Sequence, residues 1–195
     1  MDDGALVIGE LSIPIGDLTS DDPTHLVNMA TASALALRMG ASPEGVIRAA
    51  QEFSPGLHRR TTVARVNGVT WVDDSKATNP HSALASIRAH GSVVLIAGGL
   101  AKGLDVTPLA REPNVRLVLG IGTAGPGLVE AAGARGRLAG TIEQAVKLAE
   151  SVAEPGDTVL LAPGCASFDQ FESYAERGER FAKLAREITK EATAG

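Results

Sequence analysis

A single cysteine, Cys165, is all the thiol chemistry the chain carries. It can form no internal disulfide and no multi-cysteine metal site, so nothing points to an oxidising compartment, and the cytoplasm is the expected location. Aromatic residues are also scarce, at 3%. The core must therefore come from Ala, Val, Leu and Ile, which favours a buried α/β sheet over a surface on which ligands stack. No apolar run approaches the ~18 residues of a membrane span, and the opening MDDGALVIGE is acidic where a secretory signal is basic. A soluble protein that avoids membranes is expected. Charge of one sign is not concentrated anywhere. The formal net charge of −5 comes from both signs interspersed, with no basic stripe for a polyanion, so nucleic acid is not an expected partner.

What remains is ordinary globular material, 44% hydrophobic and 21% charged, with 22 Gly and 10 Pro marking many turns. Its 195 residues give room for one good core and a smaller appended unit. The abrupt opening on apolar, strand-like ALVIG suggests truncation. After Ser20, Leu26, Met29, Ala30, Ser33 and Leu37 recur at helical spacing, with Pro23 suited to the first turn and Gly40 to the end. Ser42-Pro43-Glu44 restarts the pattern with a capping residue and a proline at the first helical position, followed by Val46, Ile47, Ala50 and Phe53. Residues 21–53 thus read as a helical hairpin, which Ser54-Pro55-Gly56 ends.

From Thr61 to Asp73 the chain alternates apolar and polar residues on either side of Asn67-Gly68, a pair that supplies positive φ for a type I′ turn. A β-hairpin is predicted there. Apolar, β-branched runs follow at 92–97, 115–120 and 158–163, separated by helical segments near 79–89, 123–133 and 141–153. Strands apolar throughout, alternating with helices, indicate a mostly parallel sheet covered on both faces. The expected fold is α/β: a doubly wound, Rossmann-like domain over 57–195, preceded by the helical unit of 1–56. A closing helix is predicted from Phe168 to Thr189, with Phe171, Tyr174, Phe181, Leu184 and Ile188 as packing residues.

In an open parallel sheet, ligands bind beyond the carboxyl ends of the strands, so the residues after each apolar run carry the functional information. Three such ends are unusual. Asp73-Asp74-Ser75-Lys76-Ala77-Thr78-Asn79 crowds two carboxylates, an ammonium and several hydroxyl or amide groups into one turn. The plainer reading is a polar loop in which Ser75 or Thr78 caps a helix. AGGLAKGLD offers Gly98 and Gly99 for close backbone approach and Lys102 as a projecting cation. It has neither dinucleotide-fingerprint nor phosphate-loop spacing, and a solvated turn is its plainer reading. APGCASFDQF places Ser167 where a hydroxyl and backbone N–H groups can hold a carboxylate or simply cap a helix. Cys165 has no histidine nearby in sequence to activate it and is not expected to be a nucleophile. His58-Arg59-Arg60 stands at the boundary of the two units, where a two-domain protein would put an interdomain ligand, or where a basic hinge is merely solvated. His25, His81 and His90 have no metal-ligand spacing, so no metal site is expected.

Taken in order, HLVNMATASALALRMG, SPGLHRR, NGVTWVDDSKATNP, IAGGLAKGLD and LLAPGCASFDQFESYAERGERF resemble the Mur ligase family, from about Leu26 to Leu184. The DDSKATN loop looks most like the branch that adds D-glutamate. The resemblance implies a cytoplasmic, ATP-dependent, peptide-bond-forming ligase of peptidoglycan synthesis, and so of cell-wall, cell-shape and division functions. Such an enzyme has a UDP-binding domain, a central ATPase domain and a carboxy-terminal Rossmann-like domain that presents the amino acid. ATP, with Mg²⁺, phosphorylates the carboxylate of UDP-N-acetylmuramoyl-L-alanine, and the amine of D-glutamate attacks the acyl phosphate.

Carried onto this sequence, the resemblance makes Asn28, His58, Arg59 and Asp74 nucleotide-binding. It makes Lys76 catalytic, facing the reaction centre with Thr78 beside it. Thr78, Lys102, Ser167 and Tyr174 become the D-glutamate site, although Tyr174 stands where the family has phenylalanine. Arg177 matches a family arginine and is expected to be structural. No phosphate loop and no magnesium ligand of the central domain can be located in the sequence. Residues 1–56 would be the closing part of the central domain, and the chain alone is expected to be an inactive monomer that binds no cofactor tightly. Two alternatives stand beside this reading: a sister ligase for another amino acid, including the folylpolyglutamate branch, and a stand-alone binding module that has lost catalysis.

Overall fold

Apolar residues two apart on either side of Gly9-Glu10 make the first element a hairpin. In the computed structural model, which describes residues 4–20 and 22–194, strand β1 (Ala5–Ile8) pairs antiparallel with β2 (Leu11–Pro14), Ile8 opposite Leu11. Met1–Asp3 and Asp21, which opens the predicted helical hairpin, lie outside the described residues. Helix α1 (Pro23–Arg38) buries the predicted stripe of Leu26, Met29 and Ser33. Helix α2 (Pro43–Glu52) starts as its sequence dictates, the Ser42 side chain accepting from the Gly45 N–H. Leu6, Ile8, Ile13, Leu26, Met29 and Ala50 form the core of this unit, Met1–Gly56. Phe53 does not join it and is 48% exposed.

The second unit, Leu57–Gly195, is a six-stranded sheet. Its elements are β3 (Thr61–Val66), β4 (Val69–Asp73), α3 (Pro80–Arg88), β5 (Val93–Gly98), α4 (Thr107–Arg111), β6 (Val115–Ile121), α5 (Gly125–Ala132), β7 (Gly136–Gly140), α6 (Ile142–Val152), β8 (Thr158–Leu161) and α7 (Tyr174–Ala194). Asn67 and Gly68, at φ 51° and 75°, make the predicted turn between β3 and β4. The strand order is β3-β4-β8-β5-β6-β7, and only β3 runs antiparallel to its neighbour. Strands are added outward from β5 to β7, and the chain then returns to insert β8 between β4 and β5. That reversal is the topological switch point, beyond whose carboxyl ends such sheets bind ligands.

All six residues of β5 are buried, and they alternate between two cores. Val93, Leu95 and Ala97 join Ile87 of α3, Leu109 of α4 and Leu128 of α5 on one face. Val94 and Ile96 join Trp71, Ile142 of α6 and Phe181 of α7 on the other. Each fully buried aliphatic side chain contributes roughly 1.5–3 kcal/mol, so the doubly wound arrangement follows from strands that are apolar on both faces. At the amino ends of the strands, Asp157 gathers Ser92 Oγ at 2.6 Å, the Glu154 N–H at 2.9 Å and the Arg116 guanidinium. Burial pushes this carboxyl up, but the bonds from Arg116 and Ser92 outweigh it, and it lies below the usual carboxylate range.

The closing helix departs from expectation. It begins at Tyr174, because Ser173 accepts the Glu176 N–H and the Glu176 carboxylate accepts the Glu172 N–H, a reciprocal cap. Residues 168–173 are instead spent on docking: Asp169 Oδ2 accepts the Thr123 N–H at 2.8 Å and Gln170 Nε2 donates to Gly140 O at 2.8 Å. Tyr174 consequently lies outside the core clusters that take Phe171, Phe181, Leu184 and Ile188.

Candidate active site

Three loops meet beyond the carboxyl ends of β4, β5 and β8. Gly98 and Gly99 make this meeting sterically feasible: a Cβ at Gly98 would lie 2.0 Å from Ile121 O, and one at Gly99 would lie 2.4 Å from Ala166 O. With no side chain in the way, Leu100 and Ala166 exchange N–H···O bonds of 2.9 and 3.1 Å, an isolated antiparallel bridge that locks the AGGLAKG loop to the Ser167 loop. Lys102, two residues on, is held at φ 53°. Among the described residues, the non-glycine residues at positive φ are His58, Arg60, Asn67 and Lys102. Asn67 has its hairpin to explain it, and the other three surround these loops, where backbone strain concentrates at functional sites.

The DDSKATN turn is tied down residue by residue. Asp73 Oδ2 and His58 Nδ1 are hydrogen-bonded at 2.6 Å, and Asp73 Oδ1 accepts the Ser75 N–H at 2.9 Å. Asp74 is buried, its N–H donating to Leu161 O and its Oδ1 accepting the Arg60 N–H at 3.3 Å. Burial raises the Asp74 carboxyl above the usual range, opposed by the nearby Arg60 charge. The Lys76 N–H donates to His58 O at 3.1 Å, so the HRR loop and this turn form one unit. Neither Ser75 nor Thr78 caps α3. Asn79 does, accepting the Ser82 N–H. Ser75 Oγ donates to Tyr174 O at 2.7 Å and accepts from Arg177 Nε at 2.9 Å. Arg177 Nη2 donates to Ser75 O and Cys165 O at 3.0 and 3.2 Å. Only 1% exposed, Arg177 ties the loop after β4 to the loop after β8, and burial lowers its guanidinium to about 10.

Between these loops lies a pocket of about 200 Å³ whose lining includes Thr78, Lys102, Ser167, Phe168 and Tyr174. The predicted Thr78, Lys102, Ser167 and Tyr174 are therefore brought together. Lys76 reaches them through Tyr174, its Nζ lying 3.8 Å from the ring centroid. His58 and Asp74 are buried beside the same loops, Arg59 is exposed next to them, and Asn28 is exposed on α1 of the first unit. Sequence reasoning missed the Asp73–His58 bond, the exposed Phe168 at the pocket and the docking role of Asp169. Cys165 is buried, and burial pushes its thiol up to about 11. Among the described residues no group of three or more His, Cys, Asp or Glu could hold a metal ion, and no helix is long and apolar enough to cross a membrane.

Residues 58–165, which span both the HRR loop and the sheet up to Cys165, match the family described as Mur ligase, glutamate ligase domain. The chain belongs to the Mur ligase family. Among curated Mur ligases it is 42% identical over 186 residues to UDP-N-acetylmuramoylalanine–D-glutamate ligase of Thermobifida fusca, covering 89% of this chain and 40% of that protein. The ligase of the same name from Rubrobacter xylanophilus is 42% identical over 191 residues, covering 94% and 43%. The chain thus spans about 40% of the length of the curated Mur ligases it matches. Two solved structures share the fold. The UDP-N-acetylmuramate–alanine ligase of Thermotoga maritima has a TM-score of 0.65 at 12% identity, covering 91% of this chain and 40% of that one. The pseudomurein peptide ligase type C of Methanothermus fervidus has a TM-score of 0.68 at 14% identity, covering 94% and 39%.

Proposed function

We propose that this Mur ligase chain is the amino-acid-presenting part of a cytoplasmic, ATP-dependent ligase that joins D-glutamate to UDP-N-acetylmuramoyl-L-alanine in peptidoglycan synthesis. The observation that carries this reading is the convergence of Lys102, Ser167 and Thr78 on one small pocket. D-glutamate is a dianion with an ammonium, and a cation with two hydroxyl groups is the donor set its carboxylates require. The pocket holds the amino acid so that its amine is presented to the activated carboxyl, and Lys76, at the edge beyond Tyr174, supplies positive charge where negative charge develops on the attacked carbonyl oxygen.

His58 and Arg59 form the nucleotide edge on this reading. Asp74, with its carboxyl turned to the Arg60 N–H, acts with Asp73 chiefly to hold that edge in shape. Asn28, on α1, keeps the nucleotide-binding role that the family resemblance gives it, in what would be the closing part of the ATPase domain. Among the described residues no group of three or more His, Cys, Asp or Glu could hold a metal ion, and no G-x-x-x-x-G-K-S/T run stands in the sequence. Because the curated relatives are more than twice as long as the part this chain matches, we assign the phosphoryl step to the rest of the intact ligase, and the chain alone should neither hydrolyse ATP nor ligate.

Calorimetric titration of the 195-residue chain with D-glutamate, L-glutamate, L-alanine and diaminopimelate tests the reading. Preferential uptake of D-glutamate, lost in Lys102→Ala, is expected. Preference for another amino acid would make it a sister ligase, and turnover of ATP by the chain alone would refute the division of labour.

A further inference from the structure

Aromatic side chains are few enough to account for one by one: one Trp, one Tyr and four Phe. Phe53 lies in the first unit. In the second, Trp71 and Phe181 are core, and Phe171 packs against it. The two that remain are Phe168 and Tyr174, and both line the pocket. Each also lies beneath a lysine. Lys76 Nζ is 3.8 Å from the Tyr174 ring centroid, and Lys102 Nζ is 5.0 Å from that of Phe168, both inside the ~6 Å over which a ring face attracts a cation.

Phe168 is 62% exposed. An exposed phenylalanine contributes nothing to the core, so its place beside Lys102 calls for another account. Among the described residues neither lysine has a carboxylate within ion-pair distance. A carboxylate partner would fix an ammonium but also neutralise it. A ring face restrains the ammonium and leaves its whole charge for an incoming anion. Both rings stand on fixed backbone. Tyr174 O accepts the Ser75 hydroxyl at 2.7 Å, and Phe168 lies between buried Ser167 and Asp169, whose carboxylate holds the Thr123 N–H.

We propose that Phe168 and Tyr174 are positioning residues, each ring seating the uncompensated ammonium of one site lysine: Tyr174 that of Lys76 and Phe168 that of Lys102. As a role in amino-acid uptake this rests on the reading of the pocket given above, but the seats themselves do not. Phe168 is then a determinant of affinity for an anionic ligand although it carries no polar group. Tyr174 retains its function as phenylalanine, because the ring and not the hydroxyl faces the ammonium.

The test is NMR of the 195-residue chain with ¹³C-labelled lysine, without ligand and then with D-glutamate. In the free protein the Cε–H signals of Lys76 and Lys102 should stand upfield of the other lysines because of the ring currents. Tyr174→Leu should return the first to the common position and Phe168→Leu the second, while Tyr174→Phe and Phe168→Tyr keep both displaced. On titration, Phe168→Leu should weaken D-glutamate about two- to fivefold, with Phe168→Tyr unchanged. Leucine variants that leave the lysine signals where they are would overturn the proposal even if D-glutamate binds. Signals that move without any loss of D-glutamate affinity would overturn the positioning role. A wild-type chain that takes up no D-glutamate would remove the reading of the pocket instead, and the ligand-free signals would still decide whether the seats exist.

Discussion

Gly178 lies against His58 so closely that a Cβ on the glycine would sit 2.2 Å from the imidazole Nδ1 and 2.8 Å from Asp73 Oδ2. The helix α7 can pack over the His58–Asp73 pair only because this position carries no side chain. In an isolated helix Gly→Ala would stabilise by about 1 kcal/mol. Here the methyl group must displace a buried, hydrogen-bonded ring, so Gly178→Ala should lower the thermal midpoint. A midpoint raised by the amount helix propensity predicts would show that the close packing is wrong.

Lys102 and Lys76 should separate kinetically in the complete ligase. On the proposed reading the Lys102 ammonium makes a charge-assisted hydrogen bond to a ground-state carboxylate, so Lys102→Ala should raise KM for D-glutamate about tenfold to a hundredfold and leave KM for ATP nearly unchanged. Lys76→Ala should instead depress kcat, because on the same reading its charge faces a centre that becomes negative only in the transition state. Steady-state kinetics with each substrate varied in turn is the check, and a Lys102 variant with an unaltered D-glutamate KM would break the site assignment.

The buried Arg177 offers a stability test. Its guanidinium reaches Ser75 Oγ, Ser75 O and Cys165 O at once, a fork that a lysine ammonium cannot reproduce. Arg177→Lys should cost about 1–3 kcal/mol in denaturant unfolding. A near-neutral result would mean that the loops after β4 and β8 are held together by something else.

Much of this architecture was legible because its signals are local. The β3–β4 hairpin announces itself by Asn67-Gly68, α2 by Ser42-Pro43, and β5, β6 and β8 by runs that are apolar on both faces. Strand β7 was not foreseen: GRLAG has two glycines, an arginine and no β-branched residue, and it pairs with β6 alone at the sheet edge. Helix α4 is only five residues long and too short to show a period. The pocket residues could be named because each follows a strand end or matches the family, but their fastenings could not. Ser75 and Arg177 are 102 positions apart and His58 and Asp73 are 15 apart. Nothing in the local pattern of either member of such a pair specifies the other. The start of α7 was misplaced for a different reason: Ser173 and Glu176 carry a readable capping signal, but Phe168 and Phe171 extend the helical period past it.

At the other end of the sheet, Asp157 should make the second unit acid-sensitive. Its folded carboxyl lies below the ordinary value, held there against burial by Arg116 and Ser92. The stabilisation is therefore complete above the unfolded value of about 3.9 and is lost as pH falls through the folded one. Asp157→Asn should lower stability at neutral pH by roughly 1–3 kcal/mol, and the gap from wild type should close in acid. Urea unfolding at a series of pH values would measure it, and a gap independent of pH would exclude the carboxylate as its origin.

Trp71, buried between β4 and α7 with its ring centroid 6.1 Å from that of Phe181, is the sole indole in the chain. Its emission is therefore an optical label for the sheet unit alone. A fluorescence melt will follow the loss of the core that supports the three loops and will not see the β1–β2 hairpin with its two helices, whose unfolding needs circular dichroism. Two such curves from one sample, superimposed or displaced, will read out whether the two halves of this chain melt as one cooperative body or as two.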